Sequence, residues 1–274
     1  MPKYEQICPV HNEIDIYTNC SFNCIYCISL SDPLIKSFNL DAELARIASL
    51  TDKSKPYYLS PWTDCYQEEE EQRGYTRKIL EALSKNNIPF FVITKGDLVL
   101  RDIDLFKGKD NAFLAISINT LSNKLISKLE PGAPSATNRK NLLEKLIQHK
   151  DLKTVVKIDP IIPGITDGEE LDDLIAWLCQ HKPKAITADT LRLSNKILSN
   201  MQKHLSKETI NRMLKLYPEI AESPIHANIE YRLELLKTIA AKLRDAGIQV
   251  SFCKASIPER ITDFDCRGGY NYDF

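Results

Sequence analysis

The sequence predicts an α/β fold built on a parallel β-sheet. Strand-like apolar runs alternate with helix-like amphipathic segments along the whole chain. The distance between successive strands leaves room for a helix in each connection, as parallel strands require. Hydrophobic residues make up 43% of the 274 positions, which is enough for a sizeable core. No repeat, low-complexity segment or linker divides the chain, so we predict one domain over residues 1–274.

Seven strands are predicted from short runs rich in β-branched, aromatic and other apolar residues. They lie at residues 14–17, 56–60, 88–95, 112–118, 154–162, 184–193 and 247–252. Residues that are polar, or that include Gly and Pro, follow each of the first five runs. Because parallel α/β proteins bind ligands at the carboxyl ends of their strands, we expect the functional site there.

Helices are predicted between the strands, where apolar residues recur with helical spacing. They lie at residues 40–50, 70–85, 138–149, 168–180, 195–215 and 227–246. Asn39 or Asp41 is expected to cap the first helix, because the side-chain oxygen of either residue accepts a free N–H group of the first turn. In the fourth helix we expect Cys179 to be a small core residue. The core is predicted over about residues 12–193, followed by a helical C-terminal part over about 194–274.

The charge balance argues against partners that bind through general electrostatic attraction. Lys and Arg total 36 against 37 Asp and Glu, so the formal net charge of −1 provides no general attraction to nucleic acid or to an anionic membrane. No apolar run approaches the roughly 18–20 residues of a membrane span, and we find no secretory signal. We therefore expect a cytoplasmic protein without a membrane partner. In a reducing compartment its eight cysteines do not predict four disulfides.

Three of the cysteines form a compact motif. Cys20, Cys24 and Cys27 lie within eight residues, at a spacing that suits a loop around one metal centre. A structural zinc site needs four ligands, and upstream only Cys8 and His11 are near, without a paired C-x2-C partner. A [4Fe–4S] cluster is normally held by four thiolates, so three thiolates leave one iron with an open position for chemistry.

This motif, Cys-x3-Cys-x-Tyr-Cys after a short strand, resembles the cluster motif of the radical SAM superfamily. The resemblance implies a partial (β/α)6 TIM-like barrel with a helical C-terminal part. It also implies a [4Fe–4S] cluster whose open iron binds S-adenosylmethionine (SAM). One electron, from a donor such as flavodoxin or ferredoxin, then cleaves SAM and releases a 5′-deoxyadenosyl radical.

Further segments resemble the spore photoproduct lyase-like branch of that superfamily. They are TDCYQ followed by EEE, TKGDLVLRDIDL, LEPGAPS and PIIPGITD, and the similarity covers about residues 12–170. Two positions depart from the branch. Ile28 follows Cys27 where lyases carry an aromatic residue, and Cys65 lies later in its segment than the hydrogen-donating cysteine of the lyases. We therefore do not expect a literal thymine-dimer lyase.

The resemblance implies a SAM site at the carboxyl ends of the strands. Lys95 is expected to pair with the SAM carboxylate, with an ordinary solvated lysine as the alternative. Ser117 and Thr63 are expected to hydrogen-bond the methionyl or ribose groups. Asp64 is expected to bind the ribose hydroxyls or the amine of SAM.

Three apolar or sulfur-containing side chains complete the expected site. Tyr26 and Ile162 are expected to pack near the adenine ring, with simple loop packing as the alternative for Tyr26. Cys65 is a candidate donor of a hydrogen atom or electron to a substrate radical, and a buried structural cysteine is the alternative. Cys8 and the late cysteines Cys253 and Cys266 form no C-x2-C pair, so no auxiliary cluster is expected.

The sequence leaves the substrate open. The basic stretch 139–157, which begins with Arg139, has the helical spacing of a solvated face, whereas residues 68–71 place four carboxylates near the expected site and would repel phosphates. We therefore favour modification of a peptide or small molecule, including C–C cleavage or rearrangement. A leader-peptide-binding protein and a precursor peptide would then be partners. A nucleic-acid lesion lyase is one alternative, and an iron–sulfur sensor without turnover is an alternative of another class.

Overall fold

A seven-stranded parallel sheet forms the centre of the protein. The computed structural model describes residues 12–30, 37–252 and 263. Neighbouring strands follow one another in chain order, which leaves β1 and β7 as the two edges of an open sheet. The strands are β1 (Asn12–Ile14), β2 (Tyr57–Leu59), β3 (Phe90–Thr94), β4 (Ala112–Ser117), β5 (Lys153–Ile161), β6 (Ala185–Thr190) and β7 (Gln249–Phe252). This confirms the predicted α/β fold with a partial, unclosed barrel.

Helices fill the connections between the strands. They are α1 (Leu40–Ser49), α2 (Glu68–Arg73), α3 (Tyr75–Lys85), α4 (Asn123–Leu129), α5 (Ala136–Ile147), α6 (Glu169–His181), α7 (Asn195–Met201), α8 (Lys207–Leu214) and α9 (Ile229–Asp245). Short 3-10 helices occur at Ile28–Leu30 and Asp97–Leu105. None of the helices in the described ranges is long and apolar enough to cross a membrane.

Two predicted helices are each divided in two. The helix predicted at 70–85 breaks at Gly74, whose φ of 61° is left-handed, so that α2 ends and α3 begins there. The helix predicted at 195–215 breaks between α7 and α8, where Ser206 caps the second piece. The side chain of Asn39, rather than Asp41, caps α1 by accepting the N–H of Ala42 at 3.0 Å. Helix α4 was not predicted, because seven residues are too few for a clear periodicity.

The strand register divides the inner face of the sheet into layers. Ile93, Ala115, Val155 and Ala185 are cross-strand partners and belong to a small apolar cluster separate from the main core. Two positions further along the strands, the cross-strand partners are Ser117, Lys157, Thr187 and Ser251. Because alternate residues of a strand share a face, the same face changes from apolar to polar toward the carboxyl ends. The outer face carries the main core, which packs against α3, α6 and α9.

The C-terminal helices pack beside the loop that carries the three cysteines. Ile25 in that loop belongs to one buried cluster with Ile197 and Met213, from α7 and α8. Asn200 on α7 also donates a hydrogen bond to the carbonyl of Ile25 at 3.0 Å. The helical C-terminal part is therefore in direct contact with the predicted site. The prediction of one domain over residues 1–274 stays a prediction.

The structure corrects two expectations about charge. Arg139 does not lie on a solvated face: it is fully buried and forms an ion pair with buried Glu130. The four carboxylates at residues 68–71 are not all exposed, since Glu70 is fully buried and bonded to Arg101 at 2.5 Å. Cys179 is a smaller departure, because it packs against the core but remains partly exposed.

Candidate metal centre and cofactor site

The three predicted metal ligands lie on one loop after β1. Cys20, Cys24 and Cys27 are all free, half-buried thiols on residues 18–27, which we name the cysteine loop. Asn23 turns the chain with a left-handed φ of 48°, a conformation that Asn tolerates. Burial raises the pKa of the Cys24 thiol, Lys95 opposes this, and the negative groups around it raise the pKa further. Cys27 and Cys20 also interact electrostatically with Cys24, so the three thiols lie near one another.

The arrangement of the thiols fits a multinuclear cluster. Within the described ranges, no three His, Cys, Asp or Glu side chains are close enough to hold a single metal ion. In a [4Fe–4S] cluster each thiolate binds a different iron, so the sulfur atoms need not converge on one point. The hydroxyl of Ser21 is buried beside Cys20 without a partner in the described chain, as expected if a bound group accepts it. Cys8, His11, Cys253 and Cys266 lie outside the described residues.

The LEPGAPS segment supports the cysteine loop from one side. The N–H of Ile25 donates to the carbonyl of Leu129 at 2.9 Å, and the N–H of Gly132 donates to the carbonyl of Phe22 at 3.0 Å. A Cβ atom at Gly132 would collide with the carbonyl oxygen of Ser21. Glycine is therefore required at this position for the two backbones to meet.

Lys95 follows β3 and is half-buried, which does not match an ordinary solvated lysine. Its ammonium makes no hydrogen bond or ion pair with any described residue. Burial acts to lower the pKa of Lys95, but interactions with Cys24, Glu130 and Asp64 outweigh burial and raise the pKa above its usual value. The ammonium is therefore charged beside the cysteine loop and available to an anionic ligand.

Asp64 connects the ends of two strands. Its carboxylate accepts hydrogen bonds from the Thr94 hydroxyl at 2.6 Å and from the backbone N–H groups of Tyr66 and Lys95, each at 2.9 Å. Burial raises the pKa of this carboxyl, and the hydrogen bonds oppose that shift. Much of its acceptor capacity thus holds the loop after β2 against the end of β3. A bound ribose or amine would use the capacity that remains.

Thr63 and Ser117 are both at strand ends. The Thr63 hydroxyl donates to Asp15 at 2.8 Å, and Asp15 also accepts the N–H groups of Trp62 and Thr63, so Asp15 organises this loop. No sequence motif indicated Asp15 as a site residue. Ser117 ends β4 and is 2% exposed, and its hydroxyl has no hydrogen-bond partner in the described chain. Thr63 and Ser117 therefore retain oxygen atoms that can accept a hydrogen bond.

A buried polar network holds Tyr26. Its hydroxyl donates to Glu130 and accepts from the Asn119 amide at 2.8 Å, and Glu130 is also paired with Arg139. Burial acts to raise the pKa of Glu130, but Arg139 and then Lys95 lower it below its usual value. Glu130 is therefore an anion. The side-chain amide oxygen (Oδ1) of Asn119 is buried without a partner in the described chain, so it can accept a hydrogen bond from a bound group.

The two apolar candidates for adenine contact share a cluster. Ile162 follows β5, is fully buried, and donates its N–H to the Thr166 hydroxyl at 2.8 Å. Tyr26 and Ile162 both belong to the cluster that also contains Leu129. Asn119 and Glu130 were not among the site residues predicted from the sequence. The LEPGAPS segment, which contains Glu130, was the signal that could have identified the network.

Cys65 is fully buried in the main core, directly after Asp64. Its carbonyl accepts the Thr76 hydroxyl at 2.6 Å, which joins this loop to α3. Burial raises the pKa of its thiol well above the usual value, and Asp64 and Glu70 add to the effect. Cys65 therefore keeps its S–H bond. That state is compatible both with hydrogen-atom donation and with a structural role.

Comparison with known proteins identifies a family. The sequence model of the Radical SAM superfamily matches residues 14–178, more than half of the chain. An uncharacterized protein of Methanocaldococcus jannaschii is 31% identical over 165 residues, which cover 57% of this chain and 62% of that protein. An uncharacterized protein of Mycobacterium tuberculosis is 25% identical over 261 residues, covering 87% and 76%. A radical SAM Nα-GlyT isomerase of Pseudomonas phage M6 is 24% identical over 140 residues, covering 51% and 29%.

Solved structures share the fold at low sequence identity. A spore photoproduct lyase variant with dinucleoside spore photoproduct has a TM-score of 0.65 and 16% identity, covering 85% of this chain and 74% of that one. SuiB of Streptococcus suis, bound to the precursor peptide SuiA, has a TM-score of 0.61 and 12% identity, covering 90% and 48%. One of these proteins holds a dinucleoside photoproduct and the other a precursor peptide, so the shared fold does not select a substrate.

Proposed function

The chain belongs to the radical SAM superfamily, and on that premise we propose that it is a radical SAM enzyme with a [4Fe–4S] cluster on Cys20, Cys24 and Cys27. The observation that carries this proposal is the set of three free thiols on one loop beside the ammonium of Lys95, which no described residue pairs with. The chemistry that cluster and SAM supply together is reductive cleavage of SAM to a 5′-deoxyadenosyl radical, which abstracts hydrogen from a substrate.

The chain's own residues bind and orient SAM in this proposal. Lys95 pairs with the SAM carboxylate, because it is a charged group without a protein partner in the described chain. Ser117 and Thr63 hydrogen-bond the methionyl or ribose groups. Asp64 holds the loop after β2 against the end of β3 and keeps some acceptor capacity for the ribose hydroxyls or the amine of SAM. Tyr26 and Ile162 lie near the adenine, and the side-chain amide oxygen of Asn119, which has no partner in the described chain, accepts a hydrogen bond from SAM.

Cys65 is proposed as the donor of a hydrogen atom to the substrate radical. Its raised pKa supports this role, because a thiol gives up a hydrogen atom only while it is protonated. Its complete burial supports the structural alternative equally well. The product formed by a Cys65→Ala variant with the true substrate separates the two roles, since an unchanged product distribution removes Cys65 from the chemistry.

A peptide or small molecule remains our preferred substrate class, although one argument for it has weakened. Glu70 is buried against Arg101, and Glu69 pairs with Arg73, so residues 68–71 present less free negative charge than their sequence indicates. That observation favours the second candidate, a nucleic-acid lesion lyase. The formal net charge of −1 still supports the first. A reductant protein such as flavodoxin or ferredoxin is a proposed partner in both cases, and a leader-binding protein with a precursor peptide in the first.

Anaerobic reconstitution with iron and sulfide tests the chemistry. We expect about four irons in each parent chain and loss of the cluster in Cys20→Ala, Cys24→Ala and Cys27→Ala. Cys179→Ala, which changes a cysteine on α6, is the matched control and retains the iron. Addition of dithionite and SAM is expected to release 5′-deoxyadenosine. A normal cluster without 5′-deoxyadenosine would contradict the enzyme and favour the sensor.

Fluorescence anisotropy with a labelled single-stranded oligonucleotide tests the substrate class. For the reconstituted protein we expect binding no tighter than the non-specific range, with Kd of about 10⁻⁴ to 10⁻⁶ M at physiological salt. Much tighter binding that falls steeply with added salt would replace the peptide or small molecule with the nucleic-acid candidate.

A further inference from the structure

We propose that Gln67 is a positioning residue for the cluster: its side-chain amide holds the peptide groups on both sides of Cys20. The amide oxygen accepts the N–H of Ser21 at 2.5 Å, and the amide nitrogen donates to the carbonyl of Asn19 at 2.8 Å. Asn19 and Ser21 are the two chain neighbours of Cys20. The proposal rests on the proposed function, in which Cys20 binds iron.

The two hydrogen bonds restrain the backbone that carries the Cys20 sulfur. A backbone fixed at both neighbouring peptide groups cannot rotate freely at the residue between them. Gln67 is 1% exposed, so water does not compete effectively for these bonds. Groups that orient metal ligands from outside the ligand sphere are known to raise metal affinity by keeping the ligands in place.

Gln67 is itself held by the elements on either side of it. Three positions before it, Asp64 is bonded to the end of β3 through Thr94 and Lys95. Three positions after it, Glu70 accepts hydrogen bonds from the Tyr17 hydroxyl and the Arg101 guanidinium, each at 2.5 Å. Both carboxylates are buried.

The backbone around Gln67 is consequently rigid. Its carbonyl accepts the N–H of Glu70 at 2.9 Å as α2 begins. The side chain does not cap α2 itself, although Gln67 occupies the N-cap position. Its polar atoms are instead directed to the cysteine loop. The geometry thus connects the buried carboxylates of the TDCYQ–EEE segment to the position of a cluster ligand.

Only a side-chain amide can satisfy both peptide groups. A carboxylate at position 67 would still accept the Ser21 N–H but would face the Asn19 carbonyl with a second acceptor. A thioether would make neither bond. Gln67→Glu therefore removes half of the clamp at nearly constant shape, and Gln67→Met removes all of it.

Cluster retention under a chelator tests the proposal. Parent, Gln67→Glu, Gln67→Met and Gln72→Met are reconstituted anaerobically, and excess EDTA is added while the visible cluster absorption is followed. Gln72 is an exposed residue of α2, the helix that begins directly after Gln67, so Gln72→Met is the matched control. We expect parent-like retention in the control and about 10- to 100-fold weaker iron affinity in Gln67→Met, the usual effect of losing an outer partner of a metal ligand. Gln67→Glu is also expected to lose affinity, with an altered EPR signal of the reduced cluster.

Urea unfolding of the iron-free chains separates positioning from simple destabilisation. If Gln67 positions Cys20, its variants lose iron affinity while their unfolding midpoints stay near that of Gln72→Met. Parent-like iron retention and EPR signals in both Gln67 variants would overturn the proposal and leave the proposed function intact. Loss of affinity only in proportion to a lowered midpoint would also overturn it. A parent chain that binds no iron would overturn the proposed function itself.

Discussion

Most residues that carry the sequence resemblance contact other parts of the chain rather than open space. Gln67 holds the cysteine loop, Glu70 binds Arg101, and Gly132 allows the LEPGAPS segment to touch Ser21. A side chain at Gly96 would likewise collide with the carbonyl of Tyr66. These motifs therefore describe how the cysteine loop and the loops at the strand ends are supported, and they contain little information about the substrate.

The sequence and the structure both support a role for Lys95 in binding the SAM carboxylate. Its replacement by Met removes the only charged group proposed to pair with the SAM carboxylate. The loss of a hydrogen bond to a charged group costs about 1.5–3 kcal/mol, so we expect SAM affinity to fall about 10- to 150-fold. Equilibrium dialysis of SAM with the oxidised, reconstituted protein measures this. Lys124→Met, on the exposed side of α4, is the control and retains parent affinity.

The expected loss in Lys95→Met concerns SAM and not iron. The variant should therefore keep the iron content of the parent. Unchanged SAM affinity in a fully loaded Lys95→Met protein would show that another cation binds the carboxylate.

At the scale of elements, the turn between α4 and α5 joins the cysteine loop to the sheet. Glu130 follows α4, Arg139 lies on α5, and both are fully buried and paired with each other. Arg139 also donates to the carbonyls of Pro134 and Ser117, and Glu130 accepts from Tyr26 on the cysteine loop. One ion pair thus connects α5, the end of β4 and the cysteine loop.

Removal of both partners of this pair should cost less than the sum of the two single removals. Glu130→Gln leaves the Arg139 guanidinium buried without its counter-ion, and such changes typically cost about 3–5 kcal/mol of unfolding free energy. Arg139→Met is expected to be similarly destabilising. The double variant should cost clearly less than the sum of the two, because neither charge is then left alone. Urea unfolding of the iron-free chains measures the three values, and strict additivity would contradict the coupling.

At the scale of the whole molecule, the sheet and the C-terminal helices point to one cooperative unit. Each strand from β1 to β7 pairs with the next, and α9 contacts both α6 and β7. Helices α7 and α8 share a buried cluster with the cysteine loop, which follows β1. The first and last parts of the described chain are thereby connected through packing as well as through the sheet.

The two tryptophans allow this unity to be tested. Trp62 lies in the loop after β2, whereas Trp177 lies on α6, where it stacks on His181 with ring centroids 4.3 Å apart. Trp177→Phe leaves Trp62 as the fluorescent reporter, and Trp62→Phe leaves Trp177. If the chain is one cooperative domain, the fluorescence transition and the circular dichroism transition of each variant should have the same midpoint in urea. Fluorescence transitions that separate from circular dichroism would instead indicate two independently unfolding units.

The sequence by itself determined the alternation of strands and helices, the parallel sheet, the spacing of the three cysteines and the family. These features depend on local patterns: strand and helix periodicity, and the order of residues within one loop. Element ends were less well predicted where one residue decided them, as Gly74 does between α2 and α3. The short α4 was not predicted, because its stability comes from packing rather than from a helical periodicity in its own sequence.

Only the tertiary structure decided which charged and polar residues are buried and which partners they have. Tyr26 and Glu130 are separated by 104 positions, Glu70 and Arg101 by 31, and Gln67 and Ser21 by 46. No periodicity joins residues so far apart, so the sequence predicted a solvated basic stretch at 139–157 and four carboxylates at 68–71 that repel phosphates. A buried charge is tolerated only when a counter-charge or a hydrogen-bond partner lies beside it. Only folding brings such partners together from distant parts of the chain.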